Sequence, residues 1–147
     1  MEKADADHVV VFVVENSADY MYQLEQAFRK AHSPIDLKIA RYGNEAILYL
    51  KGVGIYGNRA TYPLPKVILL DLDLPDGSPL AVLGWIRQRT ELIGAPVLTT
   101  GYAGQSAMVK QARELGALAW FSKDDISGIV STVESLIHTE NGHKVAA

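Results

Sequence analysis

Cysteine is absent from this chain of 147 residues, which excludes disulfide bonds and thiolate metal sites. Neither sign of charge is in large excess, because 14 Lys and Arg against 17 Asp and Glu leave a formal net charge of only -3. Direct DNA binding would need a basic surface. The longest apolar run covers residues 9–14, whereas a membrane-spanning helix needs about 20 residues. Residues 1–8 are acidic and polar, unlike a secretory signal. These absences predict a cytoplasmic protein without membrane or DNA contacts.

The composition is sufficient to fill one core of ordinary size. Hydrophobic residues make up 48% of the chain, and its length fits a single domain. We assign residues 9–138 to the domain and residues 1–8 to an N-terminal tail. Residues 139–147 would form a C-terminal tail, which we expect to be disordered.

Strand-like segments alternate with helix-like segments along this domain. We expect the strands at residues 9–14, 35–40, 67–70, 96–99 and 117–121. The helix expected after the last strand has the cleanest amphipathic pattern, with apolar residues at Ile126, Ile129, Val130, Val133 and Ile137. Such alternation predicts an α/β fold, in which helices cover both faces of a parallel sheet.

One connector is longer than the others. Residues 51–66 contain three glycines and two prolines, whereas a handful of residues is usual between elements. Two interpretations stay open. The segment is either an ordinary surface loop or a partner-binding loop with Ile55, Tyr56 and Tyr62 as exposed anchors.

Asp71 directly follows a run of branched apolar residues at 67–70, a pattern typical of a strand buried on both faces. Pro75, Asp76 and Gly77 then end the strand. A carboxylate is therefore expected at the carboxyl end of a central strand, where open α/β sheets bind their ligands.

Other predicted strands also end in polar residues. Glu15 and Asn16 follow the first strand, Thr100 the fourth and Lys123 the fifth. Because the carboxyl ends of parallel strands share one edge, these side chains should converge with Asp71. A carboxylate can accept a phosphoryl group, and Mg²⁺ prefers carboxylate and phosphate oxygens. Lys123 and Thr100 could bind the phosphate.

Four segments support a family resemblance, in the order VVFVVEN, VILLDLDLPDG, PVLTTG and ELGALAWFSKDD. They resemble the acidic, phosphoacceptor, hydroxyl and lysine motifs of bacterial two-component response regulator receiver domains. The long connector resembles that of stand-alone receivers, some of which partner phytochrome-type or other histidine kinases. The resemblance implies a flavodoxin-like (βα)5 fold, a doubly wound parallel sheet with strand order 2-1-3-4-5.

The resemblance also implies roles for single residues. Asp71 would be the phosphorylated aspartate, Lys123 the phosphate-binding lysine and Thr100 the switch hydroxyl. Trp120 would be the switch aromatic, which follows the hydroxyl inward and repacks the surface formed by the fourth helix, the fifth strand and the fifth helix. The hydroxyl motif is slightly short, so Thr99 stays open as an alternative to Thr100.

The metal site implied by the resemblance would bind Mg²⁺ through Glu15, Asn16, Asp71 and the backbone carbonyl of Asp73. Asn16 stands where a second acid is usual in the family, so we predict weaker Mg²⁺ binding. Asp73 adds a negative charge that could repel phosphodonors or attacking water.

The implied function is a single-domain response regulator, not a turnover enzyme. It would accept a phosphoryl group on Asp71 from a sensor histidine kinase or a phosphotransfer protein. It would signal through contacts with a downstream protein, using the last helix and its neighbours, and could also form a homodimer.

Two alternatives to this function stay open. A degenerate receiver would act as a scaffold without phosphorylation, which Asn16 and Pro79 favour, since the family usually has glycine at the latter position. A phosphatase of the haloacid dehalogenase type is suggested by the acids Asp71 and Asp73, although the Gly-Thr expected after the second acid is missing.

Overall fold

The computed structural model describes residues 8–76, 79–89 and 94–146, with side chains described as far as residue 138. The strands are β1 (Val9–Val14), β2 (Ile35–Ala40), β3 (Val67–Asp71), β4 (Val97–Gly101) and β5 (Ala119–Ser122). The helices are α1 (Ala18–Lys30), α2 (Gly43–Lys51), α3 (Pro79–Arg87), α4 (Ser106–Glu114) and α5 (Ile126–Ala146), with a short 3-10 helix at Gly54–Gly57. Residues 1–7 of the expected N-terminal tail lie outside the described residues, as does Gly77.

All strand pairs are parallel, and the sheet has the order β2-β1-β3-β4-β5. The predicted flavodoxin-like (βα)5 fold is therefore confirmed. Every residue of the central strand β3 is buried because helices cover both of its faces. Ile68 and Leu70 pack on the side of α2, α3 and α4, whereas Leu69 packs on the side of α1 and α5.

Helix α1 begins where Ser17 caps it. The Ser17 hydroxyl accepts a hydrogen bond from the backbone N–H of Tyr20 at 3.1 Å, which satisfies one of the free donors of the first turn. Tyr20, Leu24 and Phe28 then face the sheet and α5 at helical spacing. The cap therefore fixes the helix that starts immediately beside the end of β1.

Helix α5 continues to Ala146, through most of the segment that we expect to be a C-terminal tail beyond residue 138. Residues 139–146 contain no proline. Gly142 alone lowers helix propensity by only about 1 kcal/mol relative to alanine. Within the described residues, no helix is both long and apolar enough to cross a membrane.

The long connector folds back onto α2. The rings of Tyr56 and Tyr62 meet edge to face at 5.1 Å, and both contact the ring of Tyr49. The Arg59 guanidinium donates to the Tyr49 carbonyl at 2.9 Å. Tyr56 and Tyr62 are half-buried by this packing, so they do not fit the open interpretation in which they are exposed anchors. Ile55 is 66% exposed.

Candidate functional site

The carboxyl edge of the sheet holds one ammonium group between two carboxylates. Lys123 Nζ donates to Glu15 Oε2 at 3.1 Å and to Asp71 Oδ2 at 3.1 Å. All three side chains are buried. Burial of charged groups is tolerated when they are paired, but two carboxylates against one ammonium leave one negative charge in excess. The three strand ends therefore meet in one anionic pocket.

Backbone donors fix the two carboxylates. The N–H of Asp73 donates to Asp71 Oδ1 at 2.8 Å, and the N–H of Ser17 donates to Glu15 Oε2 at 3.0 Å. Each acid is thus held by the turn that directly follows its own strand. This arrangement aims both carboxylates into the pocket before any ligand arrives.

Burial and charge shift the acid–base equilibria of the pocket. Burial, followed by the neighbouring charge of Asp71, raises the pKa of Glu15 above its usual range. Burial alone lowers the pKa of Lys123, but the charges of Asp71 and Glu15 outweigh this effect and leave the pKa raised. The ammonium group therefore stays charged, and either a proton on Glu15 or a further cation would offset the excess negative charge of the two carboxylates.

The register of β4 separates the two threonines. Thr100 lies opposite Asp71 and is buried, whereas Thr99 lies opposite Trp120. The Thr99 hydroxyl donates to the carbonyl of Ala119 at 3.4 Å. Because side chains alternate along a strand, Thr100 shares the side of the sheet on which Asp71 lies. Thr100 is therefore the hydroxyl next to the carboxylate.

Trp120 lies at the edge of a groove rather than beside Asp71. The groove has a volume of about 400 Å³ and is also lined by Tyr102, Val109 and Arg113. The indole is half-buried, and its Nε1 atom has no hydrogen-bond partner among the described residues. The side chain is thus placed between the core and a surface opening.

Asn16 and Asp73 have partners outside the carboxylate pair. The Asn16 amide donates to the carbonyl of Arg41 at 3.3 Å, just beyond the end of β2. The exposed Asp73 carboxylate accepts a hydrogen bond from Gln105 at 2.7 Å.

A cluster of three or more acidic or histidine side chains suited to a metal is absent from the described residues. Glu15 and Asp71 nevertheless suit a hard divalent cation, because Lys123 compensates only one of the two buried negative charges.

Three functional candidates were missed by the sequence analysis. The Lys123 ammonium lies 5.0 Å from the ring centroid of Tyr20 and 5.3 Å from that of Tyr102. Gln105 is the third, through its contact with Asp73. Tyr20 follows the Ser17 cap and was visible only as part of an apolar helix face. Nearness to a strand end was the one available signal for Tyr20 and Tyr102.

No protein-family model matches the chain. Response regulator Rcp1 from Synechocystis is 28% identical over 130 residues, which cover 86% of each chain. The Mn²⁺-bound structure of Rcp1 superposes with a TM-score of 0.75 over 86% of this chain and 92% of that one. In sequence and in fold, this chain is similar to response regulator receiver domains.

Two further receiver structures are similar. The phosphorylated cyanobacterial phytochrome response regulator RcpA is 26% identical, with a TM-score of 0.73 over 88% of this chain and 91% of that one. The R. palustris regulator RPA3017 of red light signaling is 24% identical and has a TM-score of 0.76 over 88% of this chain and 92% of that one. At 24% identity, the similarity to RPA3017 shows the fold alone. The predicted resemblance to receiver domains is confirmed, and among the similar structures one receiver binds Mn²⁺ and another is phosphorylated.

Proposed function

We propose that this receiver accepts a phosphoryl group on Asp71 from a sensor histidine kinase or a phosphotransfer protein. The main support is the Lys123 ammonium, held 3.1 Å from Asp71 Oδ2 inside a buried pocket. A carboxylate oxygen would form a bond to phosphorus while the bond from phosphorus to the donor histidine nitrogen breaks. The nitrogen keeps the electron pair and the ring takes up a proton from water, so the products are an acyl phosphate and a neutral imidazole.

Positioning and charge neutralisation are the main demands of phosphoryl transfer. Lys123 can move from the carboxylate pair to the phosphoryl oxygens with little displacement, and the Thr100 hydroxyl can donate to another oxygen. The ligands of Mg²⁺ would be Glu15, Asp71, Asn16 and the backbone carbonyl of Asp73. When bound, Mg²⁺ would supply the positive charge that the pocket lacks.

Signalling would require the acidic pocket around Asp71 to be coupled to the groove beside Trp120. A phosphoryl group on Asp71 would draw the Thr100 hydroxyl towards it. Trp120 packs with Leu70 on the other side of the sheet, so it would change its packing through the shared end of β4 and β5 rather than by entering the space that Thr100 leaves. Such a charge event biases a two-state element and changes the surface offered to a downstream protein or to a second copy of the chain. A cytoplasmic location without direct DNA contact fits this role.

Incubation with acetyl phosphate and Mg²⁺, followed by intact-protein mass spectrometry, tests the proposal. One added phosphoryl group is expected in the wild type and in Asp19→Ala, a variant of an exposed acid on α1. The group should be missing in Asp71→Ala. The absence of an adduct with acetyl phosphate, with phosphoramidate and with any histidine kinase would remove the basis of the proposal.

A scaffold that needs no phosphorylation is the second candidate. The Asn16 amide favours it, because this side chain is engaged by the Arg41 carbonyl instead of completing an acidic pair. In that case a partner captured by the wild type would bind Asp71→Ala with equal affinity. Similarity to receiver domains gives the phosphatase alternative no comparable support.

A further inference from the structure

Tyr20 contains a buried hydroxyl group without an obvious purpose. The residue is only 7% exposed, and its Oη atom has no hydrogen-bond partner among the described residues. Its ring centroid lies 5.0 Å from the Lys123 ammonium, close enough for a cation–π interaction. A buried hydroxyl without a partner destabilises the fold, so a phenylalanine would serve the core better.

The start of α1 fixes the backbone of Tyr20 beside the acidic pocket. The N–H of Tyr20 donates to the Ser17 hydroxyl, and the N–H of Ser17 donates to the same Glu15 oxygen that holds Lys123. Burial is the main cause that raises the pKa of Tyr20. The pKa is raised further by neighbouring groups, namely Glu15, Tyr102, Asp71 and Asp124. The phenol is therefore a neutral donor at physiological pH, able to bind an anion without repelling it.

A phosphoryl group would create a demand for donors that Lys123, Thr100 and a bound metal ion meet only in part, because each phosphoryl oxygen can accept more than one contact. It brings three acceptor oxygens. An ammonium group has three N–H donors, and Lys123 already uses two of them on Glu15 and Asp71. Thr100 offers one hydroxyl. The unphosphorylated carboxylates, in contrast, already have backbone donors, so the Tyr20 hydroxyl is not needed until phosphate arrives.

We propose that Tyr20 is a further phosphoryl-binding residue, whose hydroxyl donates to a phosphoryl oxygen on Asp71 while its ring holds the Lys123 ammonium in place. This inference rests on the proposed function, since it assumes that Asp71 is the acceptor. The proposed role explains why this buried position of α1 carries a hydroxyl group, which packing of an apolar helix face alone does not require.

Beryllium fluoride in the presence of Mg²⁺ tests the inference, because it forms a phosphoryl-like adduct on aspartate with acceptor atoms at the oxygen positions. Titration is followed by tryptophan fluorescence in wild type, Tyr20→Phe and Tyr22→Phe. Tyr22 is 63% exposed on the same helix and provides the matched control. Tyr20→Phe should bind beryllium fluoride about tenfold more weakly, the size expected for a hydrogen bond to a charged group. Tyr22→Phe should match the wild type.

Two further measurements separate binding from packing. Titration with Mg²⁺ alone should give the same affinity for Tyr20→Phe and wild type. The urea midpoint of Tyr20→Phe should equal or exceed that of wild type, because the variant removes a hydroxyl that lacks a partner.

Equal affinity of Tyr20→Phe and wild type for beryllium fluoride would overturn the inference and leave the proposed function standing. If the wild type itself neither binds beryllium fluoride nor takes up a phosphoryl group from acetyl phosphate, the proposed function fails first.

Discussion

The side-chain amide of Gln105 donates a hydrogen bond to Asp73 Oδ1 at 2.7 Å, which joins the turn after β3 to the start of α4. The same side chain occupies the space above Gly101, where any Cβ atom would collide with it. Trp120 Nε1 lies against that space too. Gln105 therefore connects the acidic pocket to the groove beside Trp120, and glycine at position 101 makes the connection possible.

The first prediction concerns this connection. A double-mutant cycle with Asp73→Ala and Gln105→Ala should give a coupling energy of about 0.5–1.5 kcal/mol in urea denaturation, the usual range for one hydrogen bond. Gln105→Ala should also change the tryptophan emission, because it opens the space beside Trp120. Gln111→Ala, at an exposed glutamine on α4, is the control and should change neither quantity. A coupling energy near zero would show that the contact contributes nothing.

The second prediction concerns the buried ammonium group. Lys123→Met should lower the free energy of unfolding at pH 7 by about 3–5 kcal/mol, because Glu15 and Asp71 would face each other without a cation. Lys110→Met replaces an exposed lysine on α4 and should change the stability by no more than about 0.5 kcal/mol. Adding Asp71→Asn to Lys123→Met should restore part of the loss. A double variant as unstable as Lys123→Met would contradict a charge-based explanation.

The fold and the converging strand ends could be predicted because they follow from local pattern and chain topology. The apolar run at 67–70 predicts a buried strand, and strand–helix alternation predicts that its terminal Asp71 lies at the same edge as Glu15 and Lys123. These predictions need no knowledge of side-chain conformation. The strand order is as predicted, and the two 3.1 Å contacts of Lys123 bring the three strand ends together.

The contacts that depend on side-chain packing could not be predicted. Helical spacing identifies Tyr20 only as part of an apolar face, and nothing in the sequence brings Gln105 to an acid 32 residues away. Gly and Pro in residues 51–66 correctly predict a connector, but they do not show that Tyr56 and Tyr62 fold back onto α2. The helix end was missed because the apolar pattern stops at Ile137 while the backbone continues through polar residues.

The third prediction concerns Asn16 and rests on the proposed metal site. Asn16→Asp should tighten Mg²⁺ binding at least tenfold, or about 1.4 kcal/mol, because it adds a carboxylate to the ligand set. Without metal, the same variant should be less stable by about 1 kcal/mol, since it loses the amide hydrogen bond to Arg41 and adds a charge to an anionic pocket. Tryptophan fluorescence and urea denaturation measure the two effects.

Asn44→Asp is the matched control, because Asn44 is an exposed asparagine at the start of α2. It should leave Mg²⁺ affinity unchanged. If Asn16→Asp bound Mg²⁺ no more tightly than the wild type, position 16 would not belong to the metal site.

The fourth prediction concerns Tyr49, which is 2% exposed and donates to the carbonyl of Pro63 at 2.8 Å. Burial raises the pKa of Tyr49 from 10.0 to about 12. The folded state therefore retains the phenol proton more tightly than the unfolded state. The stability that results is fully present below pH 10 and is lost as the pH rises towards 12.

Comparison of wild type with Tyr49→Phe isolates this effect, because phenylalanine keeps the ring that stacks on Phe12 at 4.4 Å and lacks the ionisable group. At pH 8 the wild type should be more stable by about 1 kcal/mol, the value of the hydrogen bond to Pro63. Between pH 10 and 12 this difference should shrink by about 1–3 kcal/mol, since each pKa unit corresponds to about 1.4 kcal/mol. Urea denaturation at a series of pH values measures it. A difference that stayed constant across that range would mean that the Tyr49 hydroxyl has the same pKa in the folded and the unfolded state. Water would then reach the aromatic cluster under the long connector.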